Sequence, residues 1–487
     1  MKRRNFLKGM ATTPLLASGT AFPLQKGVLV NDVQTGLNPT WVASISRPTS
    51  AAEVRSLVKD CGKHSRVISV SGSRHAAGGQ QFATDSVLLD MRAMNRVIGL
   101  DDKTGVLHVE AGIEWPELVQ GYLSLQKENV HWGIRQKQGG ADRMSLGGAL
   151  SANAHGHDLG SPPIISDVEW TEIVTADGSI KKCSRRENAE LFSLAVGGYG
   201  LFGIITAVGL RLVHRRKIRR HVEARTTAEL IALIERRTAA GAPYGYFQYS
   251  IDETSPDFLR TGILTTYEDV SAETPLGTES TDIDAKVVIA LLEIAHRDRG
   301  SAYRRYAKLE LSKDGNVEWS DLHQLSIYPP GYHPEIEKRL GADFVGADLI
   351  LEVYVPRSEL IPLLEDARRI LLASGMPLVY GTVRFIEQDK DSYLAWAKKR
   401  YACVIFSPHC SGETQAFRKT GEVCRQLIRA ATKRGGSFYL TYNRFATRDE
   451  LASAYPQFQD FINLKKQYDP RETFQSDWYR YYKGLYA

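Results

Sequence analysis

Three glycine-rich segments constrain this chain more than anything else in it. The first is Ser71-Gly72-Ser73-Arg74-His75-Ala76-Ala77-Gly78-Gly79-Gln80, and the second runs from Gly139-Gly140 through Ser145-Leu146-Gly147-Gly148 to His155-Gly156-His157-Asp158. The third is Gly197-Gly198-Tyr199-Gly200-Leu201-Phe202-Gly203-Ile204-Ile205-Thr206. The long run of tiny residues in the second can hardly build a core, so it must lie against something flat or against close backbone. Glycines also let successive backbone N–H groups approach and converge on an anion, which is how a loop cradles a pyrophosphate without lysines. One such loop after a strand is weak evidence. Three within one region imply an extended, backbone-lined cofactor groove.

The 487 residues exceed the length at which a single core usually splits, so two domains are expected. The net charge is +6, of which +4 comes from Lys2, Arg3, Arg4 and Lys8, leaving +2 for the remainder. That balance excludes a nucleic-acid footprint. The basic run His214 to Arg220 is read as a solvated interdomain linker. Residues 1–24 read as a twin-arginine signal, with Arg3-Arg4-Asn5-Phe6-Leu7-Lys8 ahead of a modestly apolar stretch and small residues. Export in the folded state through the twin-arginine machinery, to the periplasm or outside the cell, is therefore expected, with no stable membrane insertion of the mature chain. The five cysteines show no CxxC spacing, and no metal site is expected. One disulfide stays open, its partners not assignable from sequence.

Short apolar runs punctuated by Gly, Asp and Ser give strands at Val67–Ser71, Ser86–Asp90, Val106–Glu110 and Ile173–Ala176, with an amphipathic helix at Ala51–Cys61. Beyond Arg215 longer strands alternate with helices. Asp348–Val355 is a strand, Ser358 a cap for a helix stopped by Gly375-Met376-Pro377, and Val383–Ile386, Ala402–Phe406 and Phe438–Tyr442 are further strands. Thr254–Leu276 reads as an acidic, Thr-rich surface loop. The fold class is α+β: a two-part cofactor-binding domain at 38–214, a substrate domain of antiparallel sheet covered by helices at 215–445, and a C-terminal segment 446–487 returning to the first domain.

In order, Gly72-Ser73-Arg74-His75 with Gly79-Gln80, Ser145-Leu146-Gly147-Gly148 through His155-Gly156, and Gly197-Gly198 to Gly203-Ile204-Ile205-Thr206 resemble the FAD-binding domain of the vanillyl-alcohol-oxidase/p-cresol-methylhydroxylase family. The C-terminal stretch from Gly435-Gly436 through Tyr468-Asp469-Pro470 to Phe474-Gln475-Ser476-Asp477 is similar to the sugar-lactone and decaprenylphosphoryl-ribose oxidase branch. The resemblance implies FAD held by Ser71, Gly72, Ser73, Arg74, His75, Gly79 and Gln80, by Ser145, Gly147, Gly148, Ser151, His155 and Gly156, and by Gly198, Gly203 and Ile204. In members that tether the flavin, a His at the position of His75 bonds its 8α-methyl carbon. A neutral imidazole suits that task. Arg74 and Ala76 depart from the Gly and Ser often found there, and a His75 that only hydrogen-bonds beside non-covalent FAD stays open.

The resemblance also implies an enzyme that oxidises a CH–OH group of a sugar, polyol, lactone or related alcohol by hydride transfer to flavin N5, passing electrons to oxygen or another acceptor. Of the family's acid-x-arginine pattern, Thr382-Val383-Arg384 keeps the arginine. Arg384 is the electrostatic candidate, with Glu387 or Asp389 as acid/base groups, His409 as a general base and Tyr442 as a hydroxyl contact. The alternatives are a flavin-loaded redox carrier with no organic substrate, and a nucleotide-sugar binder.

Overall fold

The computed structural model describes residues 27–126, 130–277, 285–322, 333–341 and 346–486, so the proposed export segment lies outside the described residues. A short antiparallel pair, Val28–Val30 with Thr40–Val42, precedes a small parallel sheet. Strand β1 (Ser44–Ser46) leads into helix α1 (Ala51–Lys63), followed by β2 (Ile68–Ser71) and β3 (Val87–Asp90), with β3 between the other two. Helix α1 starts where the Ser50 side chain accepts from the Glu53 N–H, and it buries Val54, Val58 and Cys61.

A five-stranded antiparallel sheet follows. It consists of β4 (Val97–Asp101), β5 (Val106–Glu110), β6 (Val168–Val174), β7 (Ile180–Ser184) and β8 (Ile204–Arg211), in the order β7-β6-β8-β5-β4. Helices α2 (Trp115–Gln126) and α3 (Leu146–Ser151) lie between β5 and β6, and α4 (Ala189–Ala195) precedes β8.

The rest of the chain builds one nine-stranded sheet. Its elements are β9 (Lys217–Thr226), α5 (Thr227–Ala239), β10 (Gly245–Tyr249), β11 (Thr261–Val270), α6 (Ala285–Arg297), α7 (Arg299–Leu311), β12 (Val317–Trp319), β13 (Gly346–Asp348), β14 (Leu351–Pro356), α8 (Leu360–Ser374), β15 (Leu378–Ile386), β16 (Tyr401–Ser411), α9 (Thr414–Thr432) and β17 (Ser437–Phe438). The strand order is β12-β9-β11-β10-β15-β16-β14-β17, with β13 added to the end of β16. Helix α8 ends where Gly375 adopts φ 63°, a left-handed cap that glycine takes without steric cost. Leu363, Leu364, Ala367 and Leu371 on α8 and Val423, Leu427 and Ile428 on α9 supply much of the core on these strands.

The chain then returns. Helices α10 (Arg448–Ala454), α11 (Phe458–Tyr468) and α12 (Asp477–Leu485) close the molecule, and Thr473 and Gln475 bond to both backbone groups of Ile68 at the start of β2. Trp478, fully buried on α12, packs against Tyr199, Phe458 and Tyr482 and donates its indole N–H to the Leu440 carbonyl at 3.1 Å.

Four expectations are corrected. The basic run is not a linker, because Lys217 to Arg220 begin strand β9 and their neighbours are ion-paired: buried Arg215 binds Asp321 at 2.8 Å and Arg220 binds buried Glu310. Thr254–Leu276 contains the ten-residue strand β11, whose Gly262–Tyr267 stretch is buried between β9 and β10. Ser358 does not cap α8, because a turn of 3-10 helix at Arg357–Glu359 comes first. The last strand stops at Phe438, and Tyr439 to Tyr442 leave the sheet.

Since Trp478 seals the contact between the returning helix and the Tyr199 loop, Trp478→Ala is expected to lower the unfolding free energy by about 3–5 kcal/mol. A urea titration checks this, and a loss below about 1 kcal/mol would mean that the C-terminal helix is dispensable to the core.

Candidate active site

The three glycine-rich segments meet. Ser71 to Ala76 after β2, Ser145 to Ala152 around α3, and Tyr199 to Ile205 entering β8 line one cleft of about 890 Å³, counting the solvent space at its mouth. Their approach is too close for larger residues. A Cβ on Gly72 would stand 1.9 Å from Ser145 Oγ, and one on Gly203, where φ is +146°, would stand 2.4 Å from Ile173 Cγ2. Ser145 caps α3 by accepting from the Gly148 N–H. Gln80 lines the cleft while donating to the Leu440 carbonyl at 2.6 Å. Gly79, Gly156 and Gly198 do not line it. They serve the loops' geometry instead: Gly79 carries φ +81°, a Cβ on Gly198 would meet the Leu194 carbonyl at 1.9 Å, and one on Gly156 would meet the Lys137 carbonyl at 2.4 Å.

A second cavity of about 1410 Å³, counting the solvent space at its mouth, opens from the first, and His75, Met144, Ala149, Ala152 and Thr441 line both. His75 thus stands at the junction. Its Nε2 lies 3.0 Å from the Arg143 carbonyl, so the ring is held as the tautomer that donates there, while buried Nδ1 has no hydrogen-bond partner. Burial holds its pKa below the usual value, against the opposing pull of the Arg143 carbonyl and of Glu114.

Polar groups converge at the far side of this second cavity. Glu352, the second residue of β14 and 3% exposed, accepts from Tyr442 Oη at 2.7 Å through Oε1. Its Oε2 lies 2.9 Å from His155 Nε2 and accepts from Tyr354 Oη at 2.8 Å. Burial opposes the charge on Glu352, but His155, Arg384 and Tyr442 together outweigh it and hold the carboxyl down at about 2. Tyr442 is pushed well above the ordinary phenol value by burial and by the Glu352 charge. Buried Arg384 reaches in from β15, lying under Gly139 so closely that a Cβ there would stand 2.3 Å from its guanidinium. Burial works against its charge, which Tyr380 and Glu352 support, so its pKa stays raised.

Of the residues named from the sequence, the structure brings Arg384, Tyr442, His155 and His75 to one cavity. Glu387 and His409 are not brought there. Glu387 is held by Arg357 at 3.0 Å and Arg400 at 2.9 Å, and His409 Nδ1 is bound to Asp348 Oδ1 at 2.8 Å. Asp389 is likewise occupied, accepting from Asn153 Nδ2 at 2.8 Å and from the Ser392 backbone. Glu352 is the residue that sequence reasoning missed. A carboxylate inside the otherwise apolar run Leu349-Ile350-Leu351-Glu352-Val353 is the signal that could have found it.

An FAD-binding domain family matches residues 42–184. The chain is 26% identical over 451 residues to an L-gulono-1,4-lactone dehydrogenase of Mycobacterium tuberculosis, covering 90% of this chain and 95% of the relative. It is 24% identical over 448 residues to cytokinin dehydrogenase 9 of Oryza sativa subsp. japonica, covering 88% and 84%. An uncharacterized oxidoreductase of the fasciation locus of Rhodococcoides fascians is 30% identical over 167 residues, where the match spans 34% of this chain and 36% of the relative.

The cleft fits FAD. Ser71 Oγ, Arg74 Nε and His75 Nδ1 all line it as buried polar atoms without a protein partner, which a ligand rich in hydrogen-bonding groups would satisfy. At Gly72 and Gly203 the wall is backbone packed too closely for any side chain, which lets a long dinucleotide approach the main chain there. The chain therefore carries an FAD-binding domain of the vanillyl-alcohol-oxidase/p-cresol-methylhydroxylase type, and its relatives are oxidoreductases.

Proposed function

We propose that this protein oxidises a CH–OH group of a sugar, polyol, lactone or related alcohol, and that the second cavity holds this substrate. The observation that carries the reading is the buried Glu352 carboxylate holding Tyr442 and His155 beside Arg384, in a cavity that opens onto the FAD cleft at His75. The lactone dehydrogenase similar to most of the chain supports the same donor class.

Bound FAD would supply the two-electron acceptor for such a reaction. The side chains act on the proton and the charge. Tyr442 donates its own hydrogen to Glu352, so its lone pairs face the cavity and accept a hydrogen bond from the substrate hydroxyl. As that hydroxyl loses its proton to the Tyr442 oxygen, the tyrosyl proton moves to Glu352 Oε1. Arg384 offsets the negative charge developing on the substrate oxygen. His155 fixes the other oxygen of Glu352 and, 4% exposed, is shut away from water. A carrier with no organic substrate would have no use for this arrangement.

His75 Nδ1, unpartnered in the protein and neutral, would be the atom to bond the flavin's 8α-methyl carbon, one hydrogen of that methyl leaving as a proton and the electron pair passing into the flavin and on to the electron acceptor, and we include this tether in the proposal. Residues 1–24 are proposed as a twin-arginine signal directing the folded protein to the periplasm. Among the described residues no helix is long and apolar enough to cross a membrane.

Acid precipitation tests the tether: yellow colour should stay with the wild-type pellet and pass to the supernatant for His75→Ala, whereas release from the wild type defeats it. Anaerobic bleaching by a panel of sugars, polyols and lactones tests the reaction, and no bleaching by any of them would remove the substrate reading. With a bleaching substrate, Arg384→Ala is expected to slow the reaction about 100-fold while changing apparent substrate affinity less than tenfold. Because Glu352 titrates near 2, it is already ionised across pH 4–8 and contributes no limb there; protonation begins only as pH falls toward 2. Glu352→Gln should therefore lower the bleaching rate at every pH in that range without moving its profile, and a lost acid limb would contradict the assignment.

A further inference from the structure

A second cluster of ligating side chains lies just beyond the rim of the substrate cavity, unused by the chemistry above. Its members are His296 at the last turn of α6, Asp348 at the end of β13 and His409 near the end of β16. His296 Nε2 stands 3.3 Å from Asp348 Oδ2, and His409 Nδ1 stands 2.8 Å from Asp348 Oδ1. All three ligand atoms lie within 4.8 Å of one another. The side chains are nearly shut off from water, being 4%, 2% and 13% exposed in the order given.

We propose that these three residues form a divalent transition-metal site, zinc being the ion whose preferences they match best. Two imidazoles and one carboxylate make a ligand set zinc commonly takes, with bonds of about 2.0–2.2 Å and a tetrahedral arrangement. Such bonds place neighbouring ligand atoms about 3.3–3.5 Å apart. The two short separations run to different oxygens of Asp348, so the carboxylate would turn to present one oxygen to the ion, with the three ligand atoms already within 4.8 Å of one another. Three protein ligands leave one position for water. The chain distances of 52 and 61 residues between ligands explain why no motif showed in the sequence.

The position tells what the ion would do. On two of the segments the ligand stands one structural repeat beyond a residue that lines the substrate cavity: His296 follows Leu292 by one helical turn and His409 follows Ser407 by two strand positions, while Asp348 stands two residues before cavity-lining Ile350, in the break between β13 and β14. Val288, one further turn back on α6, also lines the cavity. Bridging His296 to the two strand residues pins α6 to the sheet and thereby fixes one wall of the cavity. The site is a clamp on the substrate pocket, outside the reacting centre, and it stands whether or not the donor is an alcohol.

The test uses the full flavin-loaded chain, stripped with a chelator, dialysed against buffered Zn2+ and measured for retained metal. One equivalent of zinc is expected, with a thermal midpoint raised by several degrees and slower amide exchange across Ala285–Arg297. The double variant His296→Gln/His409→Gln should keep its flavin spectrum and lose about tenfold or more in zinc affinity. Less than a tenth of an equivalent on the wild type, or undiminished binding by the double variant, would overturn the site and leave a plain His-Asp-His hydrogen-bond cluster. Stoichiometric zinc with unchanged exchange in α6 would overturn the clamp.

Discussion

The carboxylate of Glu352 is buried near the start of a buried strand, and the organisation of both halves of the molecule follows from how its charge is accommodated. Removing such an ion from water costs several kcal/mol, which is recovered only if every lone pair finds a partner. Those partners come from separate parts of the chain. Tyr354 belongs to the same strand, Tyr442 to the segment leaving β17, and His155 to the second glycine-rich segment beside the FAD cleft, while Arg384 on β15 supports the charge as a nearby cation. One charge therefore ties the nine-stranded sheet to the cofactor-binding region. It does so at the place where the two cavities must stay in register, since a shift of either half would strand a buried ion.

How much of this could be read from the residues depended on whether a position's role is set locally. The three glycine-rich segments were legible because their constraint is backbone geometry, expressed at Gly72 and Gly203 as contacts no other residue fits. Strands β2, β3 and β5 were legible because their apolar runs end in turn residues. Strand β11 was not, since Thr265 and Thr266 are polar yet fully buried between neighbouring strands, and only tertiary pairing shows it. Glu387 and His409 were reasonable acid/base choices by type and position. Their partners, Arg357, Arg400 and Asp348, come from elsewhere in the fold and occupy them. Glu352 escaped notice for the opposite reason, being a charged residue inside an apolar run.

Arg74 shows how the cofactor loop accommodates its departure from the resembling family. It stands where glycine is often found, and its φ is +66°, in the left-handed region that non-glycine residues adopt at a cost of about 1 kcal/mol or more. The residue is not there for backbone ease, so its side chain must compensate. Its guanidinium reaches to 3.7 Å from Asp90 at the end of β3 and lies 5.9 Å from the Phe82 ring centroid, bridging the loop to the strand beside it. Burial depresses its pKa and the Asp90 charge supports it, leaving Nε buried and unpartnered where the cleft runs past. A strained residue with an unsatisfied donor is stable only when its surroundings fix it. Here the strain turns the chain immediately before His75, so the backbone cost at one position sets the orientation of the imidazole at the next.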